Sequence, residues 1–96
     1  SGYITYVDTT AVITLPSTVV GMSFTLVNAG ADGAVQISLD PAAADKIIGA
    51  GFTATDNKDA INTLATAKKG DLIEVVGDGV DGWFIKRVHG TWAREA

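Results

Sequence analysis

The chain has 96 residues, room for one domain and one core. It carries a formal charge of −4 and a pI near 4.6, and its few cations are scattered in pairs (Lys68-Lys69 and Lys86-Arg87), which argues against a nucleic-acid partner. There is no cysteine, which excludes disulfides, thiolate catalysis and thiolate metal sites, and no run approaches the ~20 apolar residues of a membrane helix.

Hydrophobic residues make up 47% of the chain and charged residues only 19%, against roughly 25% charged in an average domain. So few charges point to a surface partly covered by another copy or by a partner, or else to the low charge common in small β-proteins rich in Val, Ala, Thr and Gly.

The first half alternates at period two. Ile4 and Tyr6 point one way, and Tyr3, Thr5 and Val7 the other, before a turn at Asp8-Thr9-Thr10. Ala11, Ile13 and Leu15 continue a second strand, which Pro16 stops because it cannot donate to a ladder. After Gly21, Phe24 and Leu26 face inward from a third strand. The segment Asn28-Ala29-Gly30-Ala31-Asp32-Gly33 has the chemistry of a hairpin loop, and a fourth strand follows with Val35, Ile37 and Leu39 inside. These patterns place Phe24, Leu26, Val35, Ile37 and Leu39 in one core.

The middle reads differently. Asp45-Lys46-Ile47-Ile48-Gly49 fits a short strand. Asp56 can cap a helix, Ile61, Leu64 and Ala65 fall at i, i+3, i+4, and Gly70 fits a stop, so a short helix is expected over Asp56–Ala67. Leu72 to Val76 and Trp83 to Val88 form a hairpin around Gly77-Asp78-Gly79-Val80-Asp81-Gly82. The expected fold is mainly β: a single-domain antiparallel β-sandwich or small barrel, residues 1–96, with one short helix.

Catalytic signals are sparse. His89 is the single histidine, and Ser17, Ser23 and Ser38 lie outside any Gly-x-Ser-x-Gly elbow. Asp78-Gly79-Val80-Asp81-Gly82 and Asp56-Asn57-Lys58-Asp59 lack the ligand spacing of a calcium loop, and Asp-Gly pairs are routine turn formers. Gly30-Ala31-Asp32-Gly33 lacks the Gly-Lys-Ser/Thr ending of a phosphate loop. No catalytic residue, metal ligand or cofactor site is assigned, and the chain is not expected to be an enzyme. A carboxylate pair assembled only by the fold is the one hydrolytic alternative. Trp83, with Phe84 and Ile85, reads as core. Trp92 lies in the tail Gly90–Ala96 and either folds back or anchors in a neighbour. Aromatics are enriched at interface centres, so Trp92 and Tyr3, with Arg94 beside Trp92, are the interface candidates.

Ser1-Gly2 before an aromatic strand, Ala11-Val12-Ile13-Thr14-Leu15-Pro16, and Gly21-Met22-Ser23-Phe24-Thr25 together resemble a pattern in small tailed-bacteriophage virion proteins. The closing Gly77-Asp78-Gly79-Val80-Asp81-Gly82-Trp83 and Gly90-Thr91-Trp92 are similar to the ends of such proteins, and these stretches cover about half the chain. A segment normally precedes the Ser-Gly turn in that family, so an N-terminal segment is expected to be missing here. The resemblance implies a capsid decoration or head-appendage protein on the virion exterior, commonly a homotrimer, gripping the major capsid protein. A carbohydrate- or receptor-binding module of a tail fibre, with Trp92 or Tyr3 as a sugar-stacking platform, is the alternative it leaves open.

Overall fold

A computed structural model describes residues 2–96. Among them are nine strands: β1 (Gly2–Val7), β2 (Ala11–Thr14), β3 (Ser23–Asn28), β4 (Ile37–Asp40), β5 (Lys46–Ile48), β6 (Ala60–Asn62), β7 (Leu72–Gly77), β8 (Gly82–His89) and β9 (Trp92–Arg94). They build a β-sandwich: a five-stranded sheet, β1-β3-β7-β8-β5, packed against a four-stranded sheet, β2-β4-β6-β9.

From β1 to β7 successive strands alternate between the two sheets. Strands next to each other in sequence therefore face one another across the core instead of pairing. The first two next-but-one pairs run in the same direction, β1 parallel to β3 and β2 parallel to β4, and β5 pairs parallel to β8, whereas β4 and β6 pair antiparallel. The expected all-antiparallel sandwich is thus corrected to two mixed sheets. A parallel pair needs a crossover, and here a strand of the opposite sheet supplies what a helix does in a βαβ unit.

The same alternation corrects the hairpin expected at Asn28–Gly33. The Asn28 side chain turns inward. Its Oδ1 accepts the Gly30 N–H at 3.0 Å, and its Nδ2 donates to the Val35 carbonyl at 3.0 Å, so the segment arches from one sheet to the other. The core expected from these strands still forms. Leu26, Val35, Ile37 and Leu39 are buried, and Phe24 packs against them half-buried, with β3 and β4 contributing from opposite sheets. Ile73, Val75 and Trp83 complete the five-stranded side, and Ala60 the four-stranded side. The buried ring N–H of Trp83 has no hydrogen-bond partner among the described residues.

The helix expected over Asp56–Ala67 is replaced by β6 and a single 3-10 turn, Leu64–Thr66. The apolar stripe Ile61, Leu64, Ala65 is not buried; the period-two pair Ala60 and Asn62 is. A helix of about 12 residues is marginal in water without a face to bury. Asp56 does not cap a helix but pairs with Lys46 at 2.7 Å.

Asn62 has another role. Its Oδ1 accepts the Asn28 Nδ2 at 2.8 Å, and its own Nδ2 donates to Asp71 Oδ2 at 3.0 Å and to the Thr91 carbonyl at 3.1 Å. Asp71 Oδ2 also accepts the Lys68 N–H at 3.0 Å. Asn28, Asn62 and Asp71 are all buried, and together they tie the end of β3 to the end of β6 at one end of the sandwich. Gly90 closes the relay from outside: with φ at 93°, a Cβ there would stand 2.3 Å from the Asp71 carboxyl carbon.

The hairpin of β7 and β8 is as expected, with a bulge between Glu74 and Val75. Its turn is held by Asp78, whose Oδ1 accepts the N–H groups of Val80, Asp81 and Gly82 at 2.9, 2.8 and 3.0 Å. The Gly82 N–H first, then the others, hold the Asp78 carboxyl below the usual carboxylate range.

Leu26, 1% exposed at the centre of the sandwich, tests the packing. Leu26→Ala is expected to lower unfolding free energy by roughly 2–5 kcal/mol in urea titration; a loss below about 1 kcal/mol, usual for surface sites, would place it outside the core.

Candidate functional site: an uncovered sheet edge

The sandwich is unequal, with five strands over four, and β1 stands at one edge of the wider sheet. A strand in a sandwich ordinarily hides one face. Here Tyr3 and Thr5, on the side of Phe24 and Leu26, are exposed, and so are Ile4 and Tyr6 on the outer side; only Val7 is buried. Ile4 is 65% exposed and Tyr6 70%.

The backbone of β1 is half committed. The Val7 carbonyl accepts the Ala29 N–H at 2.8 Å, which directs the backbone groups of Val7 toward β3. Backbone groups alternate sides along a strand, so Tyr3 and Thr5 also bond toward β3, while Ile4 and Tyr6 aim N–H and C=O at the open edge.

The outer face of this sheet continues the apolar surface. Register sets Tyr6, Val27 and Leu72 in one row, and Val76, Phe84 and Ile48 in another. Between them, Arg87 Nε donates to Glu74 Oε1 at 3.1 Å. No helix covers this face among the described residues.

Tyr3 is positioned by an aromatic series running inward. Its ring stacks on Phe24 at 5.1 Å and 19°, and Phe24 meets Trp83 edge-on at 5.3 Å and 69°. Trp92 folds back on its own domain: in β9 it pairs opposite Asn62, packs half-buried against the core, and donates its indole N–H to the His89 carbonyl at 3.0 Å. That bond leaves the indole no donor for a sugar. Arg94, half-buried in β9, pairs opposite Ala60. The three interface candidates therefore occupy edge strands of different sheets: Tyr3 in one, Trp92 and Arg94 in the other.

The residues weighed for catalysis do not converge. His89 lies exposed at the end of β8, and none of Ser17, Ser23 or Ser38 hydrogen-bonds to it among the described residues. Nor is any group of three or more His, Asp or Glu arranged there to hold a metal. No cleft or cavity indents the surface that these residues form.

One carboxylate cluster is invisible in the sequence, because its members come from three distant stretches of the chain. Asp40 ends β4, Asp59 precedes β6 and Glu95 follows β9. The Asp59 N–H donates to Glu95 Oε1 at 2.8 Å, and the Glu95 N–H to the Asp59 carbonyl at 2.9 Å, which latches β9 to β6. Burial first, then hydrogen bonding and like charge from Asp40, and then Glu95, push the Asp59 carboxyl up to about 7.

Comparison of the chain with protein-family models, curated proteins and solved structures finds no match. The exposed β1 edge and the apolar outer face beside it are the feature that packing within the chain does not explain.

The carboxylate cluster gives a pH dependence with a definite sign. The folded-state pKa of Asp59 lies above its ordinary 3.8, so the stability from its protonated form is complete below that value and is lost as pH rises through about 7. The melting midpoint should therefore carry a falling component across this interval, and Asp59→Asn should remove it. A variant whose midpoint follows pH with the wild-type slope would contradict this assignment.

Proposed function

We propose that the protein is a structural component of a bacteriophage particle, a capsid decoration or head-appendage protein that acts by self-association and by binding the major capsid protein. The observation that carries the assembling role is the bare edge. Soluble monomers guard such edges with short strands, lysines, prolines or bulges, because unpaired backbone groups recruit other chains. β1 is six residues long and has none of these guards. The apolar rows beside it and the 19% charge content point the same way.

The virion setting rests on the resemblance of the Thr14-Leu15-Pro16, Phe24-Thr25 and Gly90-Thr91-Trp92 stretches to tailed-phage virion proteins. A decoration protein needs a rigid body with one surface for its own copies and another for the lattice. A sandwich with one open edge and one uncovered face suits that task. A threefold association, common in the resembling proteins, would suit the local threefold positions of an icosahedral shell, and it would have to use a surface other than the β1 edge, since antiparallel edge pairing is two-fold.

Analytical ultracentrifugation at micromolar concentration, in dilute buffer and in 1 M salt, tests the assembling role. Backbone pairing and apolar burial should survive salt that cuts the Debye length to about 3 Å. An oligomer in both buffers is the expected result. A monomer in both would defeat the proposal, and dissociation only in 1 M salt would replace the apolar contact with an ionic one.

A further inference from the structure

Resting on the self-association proposed above, we infer that two copies of this chain join edge to edge through β1, antiparallel and centred on Thr5, so that their five-stranded sheets continue into one another across a two-fold axis.

The backbone limits the register to those that set outward-directed residues opposite one another, and the side-chain matches select the one centred on Thr5. Ile4 and Tyr6 aim their N–H and C=O groups at the open edge, and an antiparallel neighbour exchanges both bonds with residues so directed. With Thr5 on the axis, Ile4 falls opposite Tyr6 of the second copy, and Tyr6 opposite Ile4. Two hydrogen-bonded pairs thus form from one short segment. The side-chain matches are favourable on both faces. A β-branched residue meets an aromatic one twice on the outer face, while on the inner face Thr5 meets Thr5 and Tyr3 meets Val7.

The occupant is a second copy because the segment is complementary to itself. Gly2–Val7 contains no Asp, Glu, Lys, Arg or His, so its meeting with its own image brings no like charges together. Asp8, the nearest carboxylate, falls opposite Gly2 in this register and not opposite another Asp8. The exposed parts of Tyr3, Ile4 and Tyr6 fall well short of the about 800 Å² per partner of a standard interface, so the pairing is carried by the backbone ladder and by this uncharged, self-matching segment, and not by area. The remaining edges fit the role less well. β5 and β9 have three residues each and β2 has four, and Lys46 of β5 is ion-paired to Asp56.

The chain has no cysteine, so a single introduced thiol reports the register directly. Thr5→Cys would place two thiols at a non-hydrogen-bonded antiparallel pair, where Cβ atoms lie within disulfide reach. With oxidised glutathione, it should give a covalent dimer much faster than Val20→Cys, an exposed control away from the axis. Ultracentrifugation of Ile4→Lys and Tyr6→Lys supplies a second reading. Both positions are solvent-exposed, so the fold, followed by circular dichroism, should persist while the particle mass halves; Val80→Lys, in the β7–β8 turn, should leave the mass unchanged. Equal cross-linking of the two cysteine variants, a wild-type particle with an odd number of copies, or an oligomer that keeps its mass in both lysine variants would overturn the edge pairing and leave the assembling role standing. A monomeric wild type would overturn both.

Discussion

Everything in this sandwich is arranged around a buried polar relay, Asn28 to Asn62 to Asp71. Each link is satisfied: Asn28 by Gly30, Val35 and Asn62, and Asn62 by Asn28, Asp71 and Thr91. A buried polar group without partners costs about 1–3 kcal/mol, so the relay is stable only while β3, β6 and the turn before β7 hold one register. A one-residue slip of either Asn-bearing strand would turn its amide out to solvent and its neighbour in. The apolar core supplies the driving force for collapse; the relay selects which collapsed arrangement persists.

That arrangement has a consequence at the surface. Alternation between sheets from β1 to β7, followed by the β7–β8 hairpin within one sheet, places five strands on one side and four on the other. The wider sheet overhangs, and β1 is the strand left over. Its inner face anchors only Val7 in the core and Tyr3 on Phe24, and no element lies across its outer face among the described residues. The exposure of Tyr3, Ile4, Thr5 and Tyr6 thus follows from topology, and an uncharged sequence at that position is what assembly through the edge requires.

Much of the fold was legible in the sequence, where side chains alternate strictly and turns use Asp and Gly. Val35, Ile37 and Leu39, the β7–β8 hairpin around Asp78, and the short β5 strand follow from local pattern alone. What did not follow is nonlocal. Asn28 signals a turn by its type, but only the fold shows that its amide reaches Asn62 rather than solvent. Asn62 itself sits in a stretch whose Ile61, Leu64 and Ala65 spacing mimics a helix, and tertiary pairing overrides that spacing. Tyr3 was legible as an interface candidate through its aromatic character, whereas Ile4 and Tyr6 of the same edge were not, because alternation cannot tell an uncovered face from a covered one. The latch between Asp59 and Glu95 spans residues too far apart for spacing to suggest it.

Hydrogen exchange at individual β1 amides tests most directly the claim that the bare edge is an assembly surface. The Ile4 and Tyr6 N–H groups should exchange freely in dilute solution and become protected as concentration rises, while Thr5, already directed at β3, changes little. Ile4 and Tyr6 amides whose exchange does not slow as concentration rises would contradict the account.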